Sequence, residues 1–121
     1  MTLTLDEIRQ HCLKLQGPIT EEFPFGEDVL AFKIHGKIFL LTRIEQFPLS
    51  INLKCDPEHA IELREQYDAV QPGYHMHKKH WITVTIDGSI RPNEILAMIN
   101  HSYAQVVNGL PKSVRSRMQH S

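Results

Sequence analysis

The segment 73–81, Gly-Tyr-His-Met-His-Lys-Lys-His-Trp, concentrates more chemically capable side chains than any other part of the chain. Three histidines, two lysines, a tyrosine and the only tryptophan lie within these nine residues. Such side chains can carry a proton, ligate a metal, contact a phosphate or stack on a ring. We therefore expect a functional site of this chain to include this segment.

The histidines are the first candidates for metal ligands, because imidazole nitrogens bind zinc and similar ions. Side chains alternate in an extended segment, so His75 and His77 would share one face while His80 would point away from them. No cysteine or carboxylate lies in the segment to complete a ligand set. The sequence therefore predicts polar histidines, with no metal site and no cofactor.

The sequence also offers no convincing nucleophile for covalent catalysis. Cys55 precedes a predicted helix start, which can lower a thiol pKa, but Asp56 and Glu58 oppose that shift. Ser102 follows His101, yet adjacent helical positions point about 100° apart and make no catalytic dyad. Phosphate-loop, nucleophile-elbow and dinucleotide motifs are absent from the sequence. We therefore predict that the chain is not an enzyme.

Binding of nucleic acid is better supported by the pattern that follows the histidines. Alternation predicts a core-facing set and an outward set on one strand: Ile82, Val84 and Ile86, and Trp81, Thr83 and Thr85. Lys79 lies two positions before Trp81, so in a continuous strand both side chains would lie on the same outward face. A tryptophan beside a lysine on a polar face suits stacking on a base, or the C-terminal segment could cover the ring.

Two kinds of binding site are compatible with these residues. Five cations could contact phosphates and would give a salt slope of roughly −4.5 on duplex DNA: Lys78, Lys79, Lys112, Arg115 and Arg117. The alternative is a pocket for a small anionic ligand or an acidic peptide segment. Its lining would be Lys54, Tyr74, His75, Lys79 and Trp81. A steep fall of affinity with salt would favour DNA, and loss through one or two substitutions would favour the pocket.

Length and composition indicate an ordinary globular protein. With 121 residues, of which 41% are hydrophobic and 22% charged, the chain is predicted to form one domain over residues 1–121. Residues 112–121 would form a short last helix or a frayed basic tail. The sequence has no apolar run of membrane-spanning length, no signal-peptide pattern and only two cysteines. We therefore expect a cytoplasmic monomer without a membrane partner.

The net charge of −1 conceals an uneven distribution. Residues 1–71 carry seven Lys/Arg against twelve Asp/Glu, a balance of −5, and residues 72–121 carry six against two, a balance of +4. The C-terminal half could therefore meet an anionic partner, unless the two halves mix in space. The acidic total and the absence of a helix-turn-helix pattern argue against a standard DNA-reading domain.

Local patterns predict the elements that must position these residues. A capping box at Thr4 and Glu7 begins a helix with an apolar stripe that includes Cys12. Further helices begin at Pro57 and at Pro92. Strands are predicted over 29–35, 38–43, 48–54 and 80–86, with a tight turn at Gly36–Lys37, and aromatic residues anchor a loop at 23–26. This order predicts an α+β fold, an antiparallel sheet of about five strands packed against helices on one face.

Five blocks of the sequence resemble the MmcQ/YjbR family, in that family's order and over nearly the whole chain: Phe23–Gly26, Leu53–Pro57, Pro72–Met76, Lys79–Val84, and Ser102–Tyr103 with Leu110–Pro111. The resemblance implies a frataxin (CyaY)-like sandwich with a double-wing motif and a DNA-binding role, and it supplies no catalytic residues to carry over. Members often carry asparagine at the position of His77, so a family function would not need His77. We therefore expect DNA contacts through the basic C-terminal half, with the hairpin 29–43 as a wing.

Overall fold

Residues 2–73 and 77–119, which the computed structural model describes, form four helices and six strands. The elements are α1 (Leu5–Leu13), β1 (Ile19–Glu22), β2 (Val29–Ile34), β3 (Lys37–Arg43), β4 (Ser50–Lys54), α2 (Pro57–Gln66), β5 (Val70–Pro72), β6 (Trp81–Thr85), α3 (Pro92–Asn108) and α4 (Lys112–Gln119). The strands form one antiparallel sheet in the order β1-β2-β3-β4-β6-β5. The predicted α+β class is confirmed, with six strands in these ranges instead of about five. None of the helices described is long and apolar enough to cross a membrane.

The core lies between the helices and the central strands of the sheet. Leu40 of β3 lies opposite Leu53 of β4, which lies opposite Ile82 of β6, and all three side chains are buried. Helix α3 packs on β3 and β4 and buries Ile95 and Ile99. Full burial of one such side chain contributes about 1.5–3 kcal/mol of transfer free energy, so this layer stabilises the whole fold.

Helix α1 begins with the capping box that the sequence predicts. The Thr4 hydroxyl accepts a hydrogen bond from the Glu7 N–H, and the Glu7 carboxylate accepts one from the Thr4 N–H, both at 3.1 Å. Ile8 and Cys12 are fully buried one turn apart on this helix. Cys12 is therefore a core thiol, as predicted.

The β2–β3 hairpin turns one residue earlier than the sequence indicates. The prediction places the turn at Gly36–Lys37, whereas its two central residues are His35 and Gly36. Their φ angles are +48° and +77°, the left-handed values that a type I′ turn requires at both central positions. Glycine takes this conformation at no steric cost, and histidine is enriched among the other residues that adopt it. His35 and Lys37 are both exposed at this turn.

The sequence analysis predicts neither edge strand, β1 or β5. The carboxylates of β1 form ion pairs with neighbouring elements, Glu21 with Arg9 of α1 and Glu22 with Lys33 of β2. β5 has three residues and ends at Pro72, which cannot donate a backbone hydrogen bond and is tolerated because β5 lies at the sheet edge. Charge and proline disfavour strands in isolation, so only tertiary pairing reveals these two.

The prediction that aromatic residues anchor the loop between β1 and β2 is wrong. Phe23 and Phe25 are 50% and 67% exposed. The end of this loop is held instead by the hairpin beside it, because the Ile44 N–H donates to the Asp28 C=O at 2.9 Å. The Arg43 guanidinium lies 3.4 Å from the Asp28 carboxylate and adds an ion pair.

A buried serine on α3 joins two strands where their own pairing ends. The Ser102 hydroxyl donates to the Phe39 C=O at 2.5 Å and accepts from the Lys54 N–H at 2.8 Å. The pairing of β3 with β4 stops just before this point, at Leu40 and Leu53. Because Ser102 is fully buried, its hydroxyl satisfies two backbone groups that the neighbouring strand does not reach.

Replacement of this serine should destabilise the protein measurably. Ser102→Ala leaves the Lys54 N–H and the Phe39 C=O without this partner, so we expect a loss of about 1–3 kcal/mol in the free energy of unfolding. Urea unfolding followed by circular dichroism measures the loss. Ser116→Ala, at an exposed position of α4, is the matched control and should change stability by less than about 0.5 kcal/mol. Equal stability of the two variants would contradict the bridging role.

Candidate functional site

The histidine-rich segment contains a turn and does not extend β6. β6 begins at Trp81, and residues 78–80 form a turn in which the His80 N–H donates to the His77 C=O at 3.0 Å. Strand parity therefore does not apply to Lys79, and its predicted place on one face with Trp81 is wrong. The rings of His77 and His80 lie 4.8 Å apart, so their predicted separation onto opposite faces is also wrong.

Metal ligation depends on more ligands than this turn brings together. His77 and His80 are two imidazoles, whereas protein zinc sites use three or four protein ligands. Within residues 2–73 and 77–119, no group of three or more His, Cys, Asp or Glu side chains could hold a metal ion. Tyr74 and His75, which the sequence places among the binding residues, lie outside the described residues.

The β2–β3 turn, the end of β4 and the start of β6 lie at the same end of the strands. We call this region the turn end and define it by His35, Lys37, Lys54 and Trp81. The β2–β3 turn lies there, because Ile34 pairs with Lys37. Lys54 at the end of β4 lies opposite Trp81 at the start of β6. The C-terminus of α3 also lies at the turn end, because Gly109 and Leu110, which follow this helix, line a cavity together with Trp81. The topology thus gathers residues that are far apart in sequence.

A cavity of about 490 Å³ opens at the turn end and is called the tryptophan cavity here. Its lining combines two lysines and the tryptophan with apolar walls: Gly36, Lys37, Ile38, Lys54, Trp81, Val106, Gly109 and Leu110. Trp81 is half-buried and packs closely on Gly73, where an added Cβ would lie 2.8 Å from the Trp81 Cβ. Trp81 is therefore held against Gly73 near its backbone and lines the cavity.

A second cavity, of about 460 Å³, lies on the other side of the β2–β3 turn and is called the α4 cavity. Its lining residues are Gly17, Pro18, His35, Arg117 and Met118. Residues 112–119 form a helix and not a frayed tail, because the Met118 side chain is buried and the Gln16 Nε2 donates to the Met118 C=O at 2.7 Å. This anchoring places Arg117 in one cavity with His35.

A further cavity, of about 420 Å³, lies beside α2 and is called the arginine cavity. It is lined by Pro57, Ile61, Arg64, Pro72, Lys78 and Lys79. The two lysines that the sequence associates with Trp81 therefore line a different cavity from it. The Arg64 Nη1 atom is buried and has no hydrogen-bond partner.

The structure divides the predicted binding residues among these three cavities. Lys54 and Trp81 line the tryptophan cavity, and Arg117 lines the α4 cavity. Lys78 and Lys79 line the arginine cavity. Lys112 is exposed two residues after Leu110. Arg115 is half-buried, its Nε atom is enclosed without a hydrogen-bond partner, and it lines none of the three cavities.

Sequence reasoning does not include Arg64 among the binding residues. The available signal is the spacing of Pro57, Ile61 and Arg64, which at intervals of four and three share one face of a helix. The sequence predicts a role for His35 and Lys37 only as parts of the hairpin 29–43, the expected wing. Their place between two cavities depends on α4, which is distant in sequence.

The cations that line the tryptophan cavity and the α4 cavity come from both halves of the chain. Lys37 and Lys54 belong to the acidic half and Arg117 to the basic half, so the division at residue 71 does not describe charge in space. Among the described residues, no carboxylate lines the tryptophan cavity or the α4 cavity. The loops beyond the opposite ends of β2, β3 and β6 carry acids: Glu27, Asp28, Glu45 and Asp87.

The nucleophile candidates have structural roles. Burial raises the pKa of the Cys55 thiol to about 11, Asp56 adds to the rise and Arg64 opposes it. Cys55 is therefore a protonated thiol at neutral pH. The Ser102 hydroxyl bonds two backbone groups, whereas the His101 Nε2 accepts a hydrogen bond from the Asp56 N–H at 3.2 Å. The two neighbours thus make no dyad, as predicted.

The family follows from comparison with known proteins. A family model described as YjbR matches residues 13–105. The chain belongs to the YjbR family. It is 40% identical over 108 residues to YbdF of Escherichia coli O157:H7, with 88% of each chain covered. It is 32% identical over 114 residues to YjbR of Escherichia coli strain K12, with 93% of this chain and 95% of that one covered.

Solved structures of similar proteins share the fold. The crystal structure of Deinococcus radiodurans protein DR2400 matches this chain with a TM-score of 0.90 and 37% sequence identity. The match covers 96% of this chain and 88% of the DR2400 chain. A Pseudomonas syringae protein gives a TM-score of 0.72 at 25% identity, with 85% and 98% covered. The names of these relatives state no ligand or reaction.

Neither cysteine of this YjbR-family protein should react before unfolding. Burial raises the pKa of Cys12 to about 12 and that of Cys55 to about 11, so both sulfurs are shielded and protonated. At about pH 7.5 the thiol reagent DTNB should release no colour from the folded protein and two equivalents in concentrated guanidinium chloride. A Cys12→Ala variant assigns any signal to Cys55. Rapid reaction of one thiol in the folded protein would disprove this prediction.

The stability of this YjbR-family protein should fall in weak acid through His101. Burial lowers the pKa of His101 below its ordinary 6.5, a charge on His59 lowers it further, and Asp56 opposes the change. As pH falls below 6.5, the unfolded chain binds the proton first, so stability is full above 6.5 and is lost toward the folded pKa. The urea midpoint should therefore drop between about pH 7.5 and about pH 5.5, and less so in His101→Gln. His80→Gln, at an exposed turn position, should retain the wild-type drop, and an equal drop in all three proteins would exclude His101 as the cause.

Proposed function

We propose that this YjbR-family protein binds DNA at the turn end of the sheet. The observation that carries the proposal is the lining of the tryptophan cavity, which combines two lysines with the only tryptophan of the chain. Lysine ammonium groups suit contacts to phosphates, and an accessible indole suits stacking on a base. Lys37 and Lys54 are assigned to the phosphates, and Trp81 to the base.

The positively charged surface continues across the β2–β3 turn. His35 and Arg117 line the α4 cavity on the far side of that turn, and Lys112 is exposed at the start of α4. A DNA strand laid across the turn would therefore meet cations on both sides of it. Arg115 is left out of this surface, because it is half-buried and lines neither cavity.

Positive and negative side chains are separated along the sheet, so a slightly acidic chain can still have a positive surface at the turn end. Loop carboxylates lie beyond the far ends of the strands, whereas the two cavities at the turn end are lined by cations and a histidine. A local positive potential can steer a polyanion to one surface of a protein whose total charge is slightly negative. The net charge of −1 is therefore compatible with DNA binding at the turn end.

Single-stranded DNA is the form that this surface suits best. Stacking on Trp81 requires a base that is not already stacked in a duplex. Trp81 is half-buried and lines the tryptophan cavity, so a base can reach its side chain from that cavity. We therefore expect tighter binding of single strands than of duplex DNA.

Fluorescence anisotropy of a labelled single-stranded oligonucleotide tests the proposal, with Trp81 emission read in the same titration. Contacts by Lys37, Lys54, Lys112 and Arg117 would give a log–log salt slope of about −2.8. The double variant Lys37→Gln/Lys54→Gln should weaken binding and reduce the slope by about 1.4, because two phosphate contacts are lost. Trp81 emission should change on binding, since it is the only tryptophan.

The matched control is Arg43→Gln/Arg91→Gln, which removes the same charge from the opposite end of the molecule. Arg91 caps the N-terminus of α3, so 17 helical residues, about 25 Å of helix, separate it from the turn end. This control should bind DNA like the wild type. Equal losses in the two double variants would mean that only net charge matters, and absence of binding at low salt would overturn the proposal.

A further inference from the structure

Helix α2 carries its cation and its acids on separate stripes. Pro57, Ile61 and Arg64 follow one another at intervals of four and three, and all three line the arginine cavity. Each acid of the helix comes one position later and so lies about 100° around the axis: Glu58, Glu62 and Glu65. The helix therefore turns its positive charge toward the cavity and its negative charges away from that direction.

Arg64 lacks the counter-charge that a partly buried guanidinium usually has. Its Nη1 is buried without a hydrogen-bond partner, and none of the ion pairs within residues 2–73 and 77–119 includes Arg64. The guanidinium also lies close enough to the buried Cys55 thiol to oppose the rise of its pKa. A buried guanidinium nitrogen without a hydrogen-bond partner is unfavourable, so an anion beside this partly buried arginine would stabilise it.

The rest of the cavity adds positive charge and apolar walls. Lys78 and Lys79 line it from the turn before β6, and Pro72 lines it from the end of β5. Ile61 is 49% exposed within this lining. The volume of about 420 Å³ is within the range of small-molecule sites, roughly 300–1,000 Å³.

We propose that the arginine cavity binds a small organic phosphate, whose dianion contacts Arg64 and Lys79 and whose apolar body lies against Ile61 and Pro57. Since Nη1 is enclosed, the contact is made by the other N–H groups of the guanidinium. Two cations attract a dianion more strongly than a carboxylate monoanion. Inorganic phosphate would leave the apolar walls in water, so an apolar body adds affinity. This site is separate from the turn end and does not rest on DNA binding.

Isothermal titration calorimetry with phenyl phosphate tests the site, with inorganic phosphate and benzoate as probes of its two halves. Phenyl phosphate should bind more tightly than either. Arg64→Gln should weaken it by about tenfold, the effect of losing a charge-assisted hydrogen bond. Ile61→Ser should weaken phenyl phosphate and leave inorganic phosphate unchanged. Lys79→Gln tests the same site from an exposed turn, where the substitution does not touch the helix.

Arg43→Gln, which removes an exposed arginine elsewhere, should bind phenyl phosphate like the wild type. Wild-type affinity in both Arg64→Gln and Lys79→Gln overturns the proposal, as does benzoate binding as tight as that of phenyl phosphate. The DNA titration of Arg64→Gln distinguishes the two sites. Unchanged DNA binding supports a separate site, whereas a loss equal to the phenyl phosphate loss would make the cavity part of the DNA surface and overturn this inference.

Discussion

The two hydrogen bonds of the Ser102 hydroxyl fix helix α3 against the central strands, and the shape of the turn end depends on them. β3 and β4 pair only as far as Leu40 and Leu53, although β3 begins at Lys37 and β4 ends at Lys54. Separated strands leave backbone groups that need partners, and a helix hydroxyl supplies two of them here. The tryptophan cavity lies beyond the last paired residues of these two strands, and Lys37 of β3 and Lys54 of β4 both line it.

The central part of the fold could be predicted from sequence because local pattern and burial agree there. The capping box of α1 and the alternation from Trp81 to Thr85 depend on residues only a few positions apart. The edge strands β1 and β5 depend on partners elsewhere in the chain, and their own glutamates and proline oppose the assignment. The turn at 78–80 interrupts an apparent alternation, and this interruption misplaces Lys79.

The candidate sites could be predicted less well than the fold, because each cavity forms between elements distant in sequence. The sequence correctly identifies Lys54 and Trp81 as residues that can lie together, since the ends of β4 and β6 pair. It assigns Lys79 to the wrong neighbours and omits Arg64, because both line a cavity between α2, β5 and a turn. The uneven charge of the two halves of the chain is also misleading. Folding brings Lys37 from the first half and Arg117 from the second to the two sides of one hairpin turn.

The two edge strands also determine how other molecules can approach the protein. At one edge Pro72 removes a backbone donor, and at the other the carboxylates of Glu21 and Glu22 are engaged by Arg9 and Lys33. A foreign peptide aligned with either edge would meet a missing donor or a row of ion pairs, so recognition by strand addition is disfavoured. Stacking of successive chains into a fibril, which begins at free strand edges, is disfavoured for the same reason. The three cavities lie at the ends of the central strands and beside α2.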